Sequence, residues 1–348
     1  MSTKFSLRQL SPEDGQILGE LMEKSPDTGK VGSSSHFEVD AFETFRVTQN
    51  NFTGVVAESP DYNGLIGACM VRFGKSQFDG ELRPSALLNS LVVHPKFRRQ
   101  GVASAMIKWL IDYTHNHMGE KGVIWALIQQ GNIGSVRTLT KYLKQFINDR
   151  IVVIPIKTRS DPPKTSRFTV RSITQKDFGQ IADKLNKFYR NFEFYEPETA
   201  ETLASWCSRT PFDTPFHHYL IAEKGGEIHA GIGVSEEYRL KTLHITSMPF
   251  ILRLLNVCFR IVPKGGVSKD LTLSKVWFDP GYLQAARYLL ETIWWQWRDQ
   301  ATMILALIDR KTPVSQVFNL KPWSPVTKSA VIIDTPLTNP EERLFYYE

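Results

Sequence analysis

One segment near residue 95 restricts what this 348-residue chain can form more than any other part of it. The run Ser90-Leu91-Val92-Val93 is typical of the end of a buried strand, and His94-Pro95 stops that strand. From Val102 onward the apolar residues repeat with a helical period, after a loop that closes on Gly101. The segment therefore predicts a strand, a tight loop and a helix.

The loop has the composition of an anion-binding site. A loop that ends in glycine and opens a helix directs several unpaired backbone N–H groups at one point, where the helix dipole adds positive potential. Arg98 and Arg99 add charge that suits a phosphate ester, and Gly101 lets the backbone approach a ligand without a Cβ in the way. The alternative is an ordinary strand-to-helix turn with solvated arginines.

The same residues resemble a known signature. Arg98-x-x-Gly101-x-Ala103, after a strand ending in Leu91-Val92-Val93-His94-Pro95, resembles the pyrophosphate-binding motif of the GNAT superfamily of acetyl-CoA-dependent N-acetyltransferases. That motif is Arg or Gln, any two residues, Gly, any residue, then Gly or Ala. The resemblance implies acetyl-CoA as the cosubstrate, with no metal. It implies that Leu91, Val92 and Val93 carry the pantetheine arm through backbone groups of Leu91 and Val93. It implies that the pyrophosphate lies on the loop of Arg98, Arg99, Gln100, Gly101, Val102, Ala103 and Ser104.

A second motif follows the next strand. Asn132, with Ser135 three residues later, opens a helix and resembles the second GNAT motif, which implies that both residues contact the coenzyme. Asn132 would cap the helix in either case, and a purely capping role stays open. Many family members carry a tyrosine seven residues after this Asn as the acid for the coenzyme thiolate, but this chain has Leu139 there. Tyr142, one turn further on, is the candidate general acid only if the helix is shifted; otherwise water or no acid serves. No general base can be assigned.

Composition limits the other function classes. The 42 Lys and Arg residues outnumber the 36 Asp and Glu residues and give a net charge of +6, which favours anionic ligands such as coenzyme A. The basic residues form no run of five, so nucleic acid is not expected as a partner. The cysteines at 69, 207 and 258 are far apart, which favours reduced thiols over disulfides or a metal site. We expect a cytoplasmic protein with no signal peptide and no membrane segment.

Three pairs of segments recur in the same order. Phe5–Asp14 resembles Phe168–Asp177, a strand followed by a Ser or Thr and an amphipathic helix. The hairpin from Val55 to Ala68 resembles that from Leu220 to Gly233, and Trp125–Ser135 resembles Leu305–Ser315. The sequence therefore predicts a duplicated domain; convergent strand patterns are the alternative.

The duplication predicts two α/β domains. We expect a GNAT acetyl-CoA-binding domain at 1–156, a Pro-containing linker at 157–165, and a degenerate GNAT-like domain at 166–348. Each should be a mixed, mostly antiparallel sheet with helices on both faces. In the second copy the run from Ser274 to Arg287 keeps the strand and helix but lacks the Arg-x-x-Gly-x-Ala loop, and Asp279 stands where positive charge would be wanted. One coenzyme site per chain is therefore expected.

The combination of an intact first copy, a degenerate second copy and the Asn132-x-x-Ser135-Val136 helix start is similar to the HOOKLESS-type probable N-acetyltransferases of plants. The apolar and basic segment from Phe250 to Val262 also resembles that group. The resemblance implies acetyl transfer from acetyl-CoA to an amine, either a small molecule or a protein amino group, by direct transfer in a ternary complex. A non-catalytic acyl-CoA-binding or regulatory module is the alternative, and oligomeric state cannot be predicted.

Overall fold

The computed structural model describes residues 5–27, 32–154, 156–157, 161–164, 166–248, 250, 264–320 and 326–347. The chain forms two compact units, and neither is continuous in sequence. The first unit comprises Met1–Asp149, Leu240–Val267 and Ser329–Pro340, and the second comprises Arg150–Arg239, Ser268–Lys328 and Glu341–Glu348. Of the segment from Phe250 to Val262, all but Phe250 lies outside the described residues.

The first unit is an α/β unit. Its helices are α1 (Gly15–Lys24), α2 (Ala41–Thr48), α3 (Val102–Met118) and α4 (Ile133–Leu139). Its strands are β1 (Ser6–Gln9), β2 (Gly32–Phe37), β3 (Phe52–Ser59), β4 (Tyr62–Phe78), β5 (Glu81–Val93), β6 (Val123–Gln129), the first part of β7 (Gln145–Val153), β13 (Lys241–Ser247) and β17 (Thr327–Ile333).

The main sheet of the first unit has the order β1-β3-β4-β5-β6-β17. All neighbours are antiparallel except β5 and β6, which run parallel. Alternate residues of the sheet pack on opposite faces: Val55 and Ala57 lie in the core under α3, whereas Val56 lies in the core under α1 and α2. A separate ribbon pairs β2 with β13. The predicted mixed, mostly antiparallel sheet with helices on both faces is confirmed.

The second unit repeats this plan. Its helices are α5 (Phe178–Tyr189), α6 (Ala200–Ser208), α7 (Leu283–Gln296) and α8 (Val314–Val317). Its strands are β8 (Ile156–Lys157), β9 (Thr169–Ser172), β10 (Phe192–Glu193), β11 (His217–Lys224), β12 (Glu227–Ser235), β15 (Asp270–Phe278), β16 (Met303–Asp309) and β18 (Leu344–Phe345), and β14 (Val267–Ser268) lies at the boundary between the units. The sheet order β9-β11-β12-β15-β16 matches β1-β3-β4-β5-β6, and β15 and β16 are again the parallel pair.

Each unit also contains an ion-pair network, and the two networks are equivalent. Arg8 donates to Asp14 at 2.6 Å and to Glu58 at 2.7 Å, so it joins β1 to the following helix and to β3. In the second unit Arg171 donates to Asp177 at 2.8 Å and to Glu223 at 2.9 Å. These contacts fall on two of the three pairs of segments that recur in the sequence.

The last strand of each unit comes from the other half of the sequence. Beside β6 lies β17, with Ser329 to Ile333 paired to Gln129 to Trp125. Beside β16 lie β8 and the end of β7, with Ile151 to Val153 paired to Asp309 to Leu307. The division into domains at 1–156 and 166–348, with a linker at 157–165, remains a prediction. The compact units divide the chain differently, since each combines segments that are far apart in the sequence. Within the described residues, no helix is both long and apolar enough to cross a membrane.

Candidate active site

The candidate site begins where β5 and β6 separate. The two strands are paired from Ser85 to Leu88 on β5 and from Val123 to Ala126 on β6. Beyond Leu88 the pairing ends although both strands continue, so the sheet opens into a wedge. The wedge exposes one edge of β5 to whatever occupies the gap.

A bulge in β5 turns this exposed edge toward the gap. Ala68 of β4 pairs with Val92 and Met70 pairs with Asn89, so two residues of β5 face one residue of β4. Ser90, at the bulge, has a left-handed φ of 51°. The N–H of His94 donates to the carbonyl of Ile66 at 2.9 Å. Because peptide groups alternate along a strand, those of Leu91 and Val93 point away from β4 and into the wedge.

The loop after β5 places the N-terminus of α3 at the wedge. Gly101 is the N-cap of α3 and has a φ of 88°, which glycine adopts without strain. The first intrahelical bond joins the N–H of Ala105 to the carbonyl of Gly101, so the N–H groups of residues 102–104 precede the helical ladder. Gly101 and these three residues line the cavity described below. Arg99 is exposed and also lines it, with a φ of 65°.

Arg98 and Gln100 donate to backbone carbonyls. The Nε of Arg98 donates to the carbonyl of Val93 at 3.0 Å, and one of its terminal nitrogens donates to the carbonyl of Pro26 at 3.2 Å. Arg98 thus fastens the loop to β5 and to the segment after α1, while it also lines the cavity. The side chain of Gln100 donates to the carbonyl of Lys96 at 2.8 Å, and Gln100 is not among the cavity-lining residues.

The wedge belongs to a cavity of about 1460 Å³, which exceeds the roughly 300–1,000 Å³ of most small-molecule sites. One side is formed by α3, α4 and residues such as Leu88, Ala126 and Ile128, which belong to the core under α3. The other side is formed by Met22 of α1, by Val92 and by residues of β2. The cavity therefore reaches both faces of the sheet, so two molecules can meet in it from opposite faces.

The cationic residues that line the cavity lie near α3 and α4. They are Arg98, Arg99, Arg137 and Lys141, and Asp27 is the one carboxylate among the lining residues that the structure describes. The Nζ of Lys141 lies 3.3 Å from the hydroxyl of Ser104 in the first turn of α3. Arg137 and Lys141 were not predicted as site residues, because cations on a short helix or just after it have the pattern of solvent-exposed residues. The charge on this side of the cavity suits a polyanion.

The predicted contacts at α4 fall on the same side. Asn132 caps α4, since its Oδ1 accepts from the N–H of Ser135 at 3.1 Å, and both residues line the cavity. Leu139 is buried and lines the cavity. Tyr142 does not line it: its hydroxyl donates to the carbonyl of Ser104 at 3.3 Å. The structure does not bring this hydroxyl to the wedge, and the acid role stays a prediction without geometric support.

Two other titratable groups lie close to the site. Cys69 lines the cavity beside the bulge, and burial raises the pKa of its thiol to about 12, so it is protonated at neutral pH. His94 is buried, and its Nε2 lies 3.3 Å from the hydroxyl of Tyr62. Burial, followed by the charges of Lys96, Lys24 and Arg98, lowers the pKa of His94. His94 is not among the cavity-lining residues, and its Nδ1 accepts from the N–H of Lys96 in the loop at 3.4 Å.

The second unit keeps the bulge but not the cavity. Gly231 pairs with Trp277 and Gly233 with Ser274, and Lys275 has a φ of 50°, as Ser90 has in the first unit. The cavity beside β15 is only about 20 Å³. Phe345 and Tyr346 line it, and Tyr189 donates to the carbonyl of Val276, at the position that matches Leu91.

The loop of the second unit is also shorter. Seven residues separate His94 from the start of α3, at positions 95–101, whereas three separate Asp279 from the start of α7, at positions 280–282. Asp279 accepts from Lys184 at 2.8 Å, and its other neighbour is His229 at 3.2 Å. The residues that would form a second anion site are therefore absent from this loop.

Residues 20–143 match the family model described as acetyltransferase (GNAT) family, a range that includes β5, the loop, α3 and α4. This range is 124 of the 348 residues, and it contains all the residues that line the cavity. No curated protein matches the chain in sequence.

Solved structures resemble this chain over nearly all its length. N-myristoyltransferase of Saccharomyces cerevisiae with bound myristoyl-CoA aligns with a TM-score of 0.65 at 11% identity, covering 99% of this chain and 87% of that one. A GCN5-related N-acetyltransferase from Sphaerobacter thermophilus aligns with a TM-score of 0.58 at 13% identity, covering 94% of each chain. At these identities the likeness shows the fold alone.

Proposed function

We propose that this protein is an N-acetyltransferase that moves the acetyl group of acetyl-CoA to an amine, with one coenzyme site per chain in the first unit. The observation that carries the proposal is the wedge between β5 and β6, which opens at a bulge and faces the first turn of α3. The peptide groups of Leu91 and the N–H of Val93 give the pantetheine arm a strand edge to pair with, whereas the carbonyl of Val93 already accepts from Arg98. The N-terminus of α3, with Arg99, Arg137 and Lys141, gives the phosphates a cationic end.

The chemistry needs both sides of the cavity. Acetyl-CoA occupies the side of α3 and α4, and the acceptor enters from the side of α1 and β2. The neutral amine attacks the thioester carbonyl, a C–N bond forms, the C–S bond breaks, and the proton lost by the nitrogen goes to water or to the departing thiolate. Backbone N–H groups on the free edge of β5 are placed to donate to the developing oxyanion. Holding the two reactants together supplies much of the rate without a dedicated acid.

The first experiment is calorimetric titration of acetyl-CoA into three proteins: wild type, Gly101→Asp and Gly281→Asp. Gly101 and Gly281 have φ values of 88° and 83°, and a Cβ at either position meets no atom within 4 Å, so the two substitutions impose similar backbone strain. Gly101→Asp also puts a carboxylate where the phosphates should lie. We expect one site in the wild type, a loss of at least about tenfold in affinity for Gly101→Asp, and no change for Gly281→Asp.

Two results would contradict the proposal. A stoichiometry of two would place a second coenzyme outside the wedge of the first unit. Equal affinity in all three proteins, with circular dichroism showing that each is folded, would remove the loop before α3 from the binding site.

A non-catalytic acyl-CoA-binding module is the second candidate, favoured by the position of the Tyr142 hydroxyl on the Ser104 carbonyl. Turnover separates the two functions. Release of free thiol from acetyl-CoA that depends on an added amine supports the transferase. Tight binding with no amine-dependent release across primary amines, amino sugars and peptide N-termini supports the binding module.

A further inference from the structure

The two sides of the cavity differ in chemistry. The side of α3 and α4 combines apolar residues with cations, as described above. The side of α1 and β2 carries the hydroxyl groups of Ser25, Ser33 and Ser35. In the proposed function the coenzyme occupies the first side, so the acceptor contacts the second. The hydroxyl groups of the second side therefore indicate the chemistry of the acceptor.

Ser25 gives the most direct indication. The residue is 6% exposed and lines the cavity, and its hydroxyl has no hydrogen-bond partner among the residues that the structure describes. Buried hydroxyl groups in folded proteins nearly always have a partner. A polar group of a molecule bound in the cavity would supply one.

Ser33 and Ser35 extend this polar surface along β2. Because residues two apart on a strand share a face, both hydroxyls belong to the side that lines the cavity. Pairing of Ser33 with Ile245 and of Ser35 with Leu243 on β13 fixes the strand. The N–H of Asp27 donates to the carbonyl of Ser33 at 2.8 Å, which ties the segment after α1 to the same strand.

Charge also bears on the acceptor. Asp27, on the segment after α1, is exposed and contributes the one carboxylate among the described lining residues. Its negative charge attracts a positively charged amine, whereas Arg137 and Lys141 attract the anionic coenzyme.

We propose that the acceptor is a hydroxylated amine, with its hydroxyl groups bonded to Ser25, Ser33 and Ser35 and its ammonium form drawn in by Asp27. This inference rests on the proposed acetyl transfer and names the substrate class of the same site. A site that bonds to substrate hydroxyls discriminates strongly against analogues without them, because its own polar groups then lose their partners.

The test compares two amines with one carbon skeleton, 2-amino-1,3-propanediol and 2-aminopropane. Thiol release from acetyl-CoA is measured over a range of pH, and kcat/KM is expressed per neutral amine because hydroxyl groups lower the basicity of the nitrogen. We expect the diol to be preferred by a factor of about ten or more.

Serine variants test which residues cause the preference for the diol. Ser25→Ala and Ser35→Ala should each lower kcat/KM for the diol about fivefold, the worth of one neutral hydrogen bond, and leave kcat/KM for 2-aminopropane unchanged. Ser34→Ala is the matched control, since Ser34 lies on the same strand but is not among the cavity-lining residues, and it should change neither amine.

The outcomes separate the two proposals. Binding of acetyl-CoA without transfer to any amine would overturn the proposed function. Transfer to 2-aminopropane, or to peptide N-termini without hydroxyl side chains, at a rate equal to or above that of the diol would overturn only the hydroxylated acceptor. Equal loss for both amines in Ser25→Ala would show a structural role for Ser25 and would also overturn it.

Discussion

The guanidinium of Arg98 donates to the carbonyl of Val93, five residues earlier in the chain, at 3.0 Å. One carbonyl of the exposed edge of β5 is therefore already engaged by the loop that follows it. Arg98 would act on the proposed coenzyme site chiefly by fixing the loop, whereas Arg99 is exposed and lines the cavity.

This difference predicts separate effects for the two arginines. Arg98→Ala should lower the free energy of unfolding by roughly 1–3 kcal/mol, the usual loss for hydrogen bonds made by a charged group, and should also weaken acetyl-CoA binding. Arg99→Ala should weaken binding with little change in stability. Urea unfolding and calorimetry on both variants measure the two quantities. Equal stability losses would show that the contacts of Arg98 to Val93 and Pro26 do not support the loop.

Tyr142→Phe should keep nearly full activity. The hydroxyl of Tyr142 donates to the carbonyl of Ser104, outside the cavity lining, so its removal should cost about 1 kcal/mol of stability and change kcat by less than about twofold. A fall in kcat of a hundredfold or more, with KM unchanged, would instead make Tyr142 the general acid.

The loop should lose stability in mild acid through His94. Its pKa in the folded protein is lowered by burial first and then by nearby positive charges, so folding favours the neutral ring. The stabilisation is fully present above the unfolded value of about 6.5 and is lost as the pH falls from there toward the lowered pKa. The stability advantage of wild type over His94→Gln should thus shrink from pH 7.5 to pH 5. An advantage that grows in acid would show the opposite shift.

The duplicated ion-pair networks predict equivalent substitutions. Asp14 and Asp177 are both buried, and the pKa of each carboxyl is lowered. For Asp14 the hydrogen bonds from Arg8 and Ser11 outweigh the effect of burial, and for Asp177 the bond from Arg171 is the largest cause. Arg8→Met and Arg171→Met should each lower the free energy of unfolding by about 1–3 kcal/mol at pH 7.

The loss should diminish as the pH falls below about 3.9, where these carboxyls become protonated in the unfolded chain. Lys24→Met serves as the control, because its partner Glu20 is exposed and the pair should contribute less than about 1 kcal/mol. Losses no larger than that of the control would show that the networks do not stabilise their units.

The cavity thiol should be unreactive. Burial raises the pKa of Cys69 to about 12, so at pH 8 almost none of it is thiolate. A Cys207→Ser, Cys258→Ser variant isolates Cys69, which should react with iodoacetamide only in denaturant. Rapid modification of the native variant would contradict the burial of this residue.

The sequence was most informative where the structure is local. Gly101 before a helical period identifies the start of α3 from adjacent residues, and Asn132 identifies the cap of α4, as its bond to the N–H of Ser135 confirms. Each of the three recurring pairs consists of whole strands and turns. The duplication that they predicted is seen in the structure as two units with the same sheet order.

Contacts between residues that are far apart in the sequence could not be predicted. The contact of Arg98 with the Pro26 carbonyl spans 72 residues, and no local period encodes it. Arg137 and Lys141 have the pattern of solvated helix residues, and only the fold brings them to the cavity. The place of β17 beside β6 is equally invisible, since an apolar strand pairs with any suitable edge and its sequence does not specify which.

The position of β17 beside β6 has a consequence for folding during synthesis. The sheet that holds the cavity is complete only when Ser329 to Ile333 have paired with β6, so about two hundred residues must leave the ribosome after β6 before that edge is covered. During this time an apolar strand with unpaired backbone groups is exposed, as in proteins that depend on chaperones while they are synthesised. The part of the chain that carries the cavity is translated first, and its sheet is completed last.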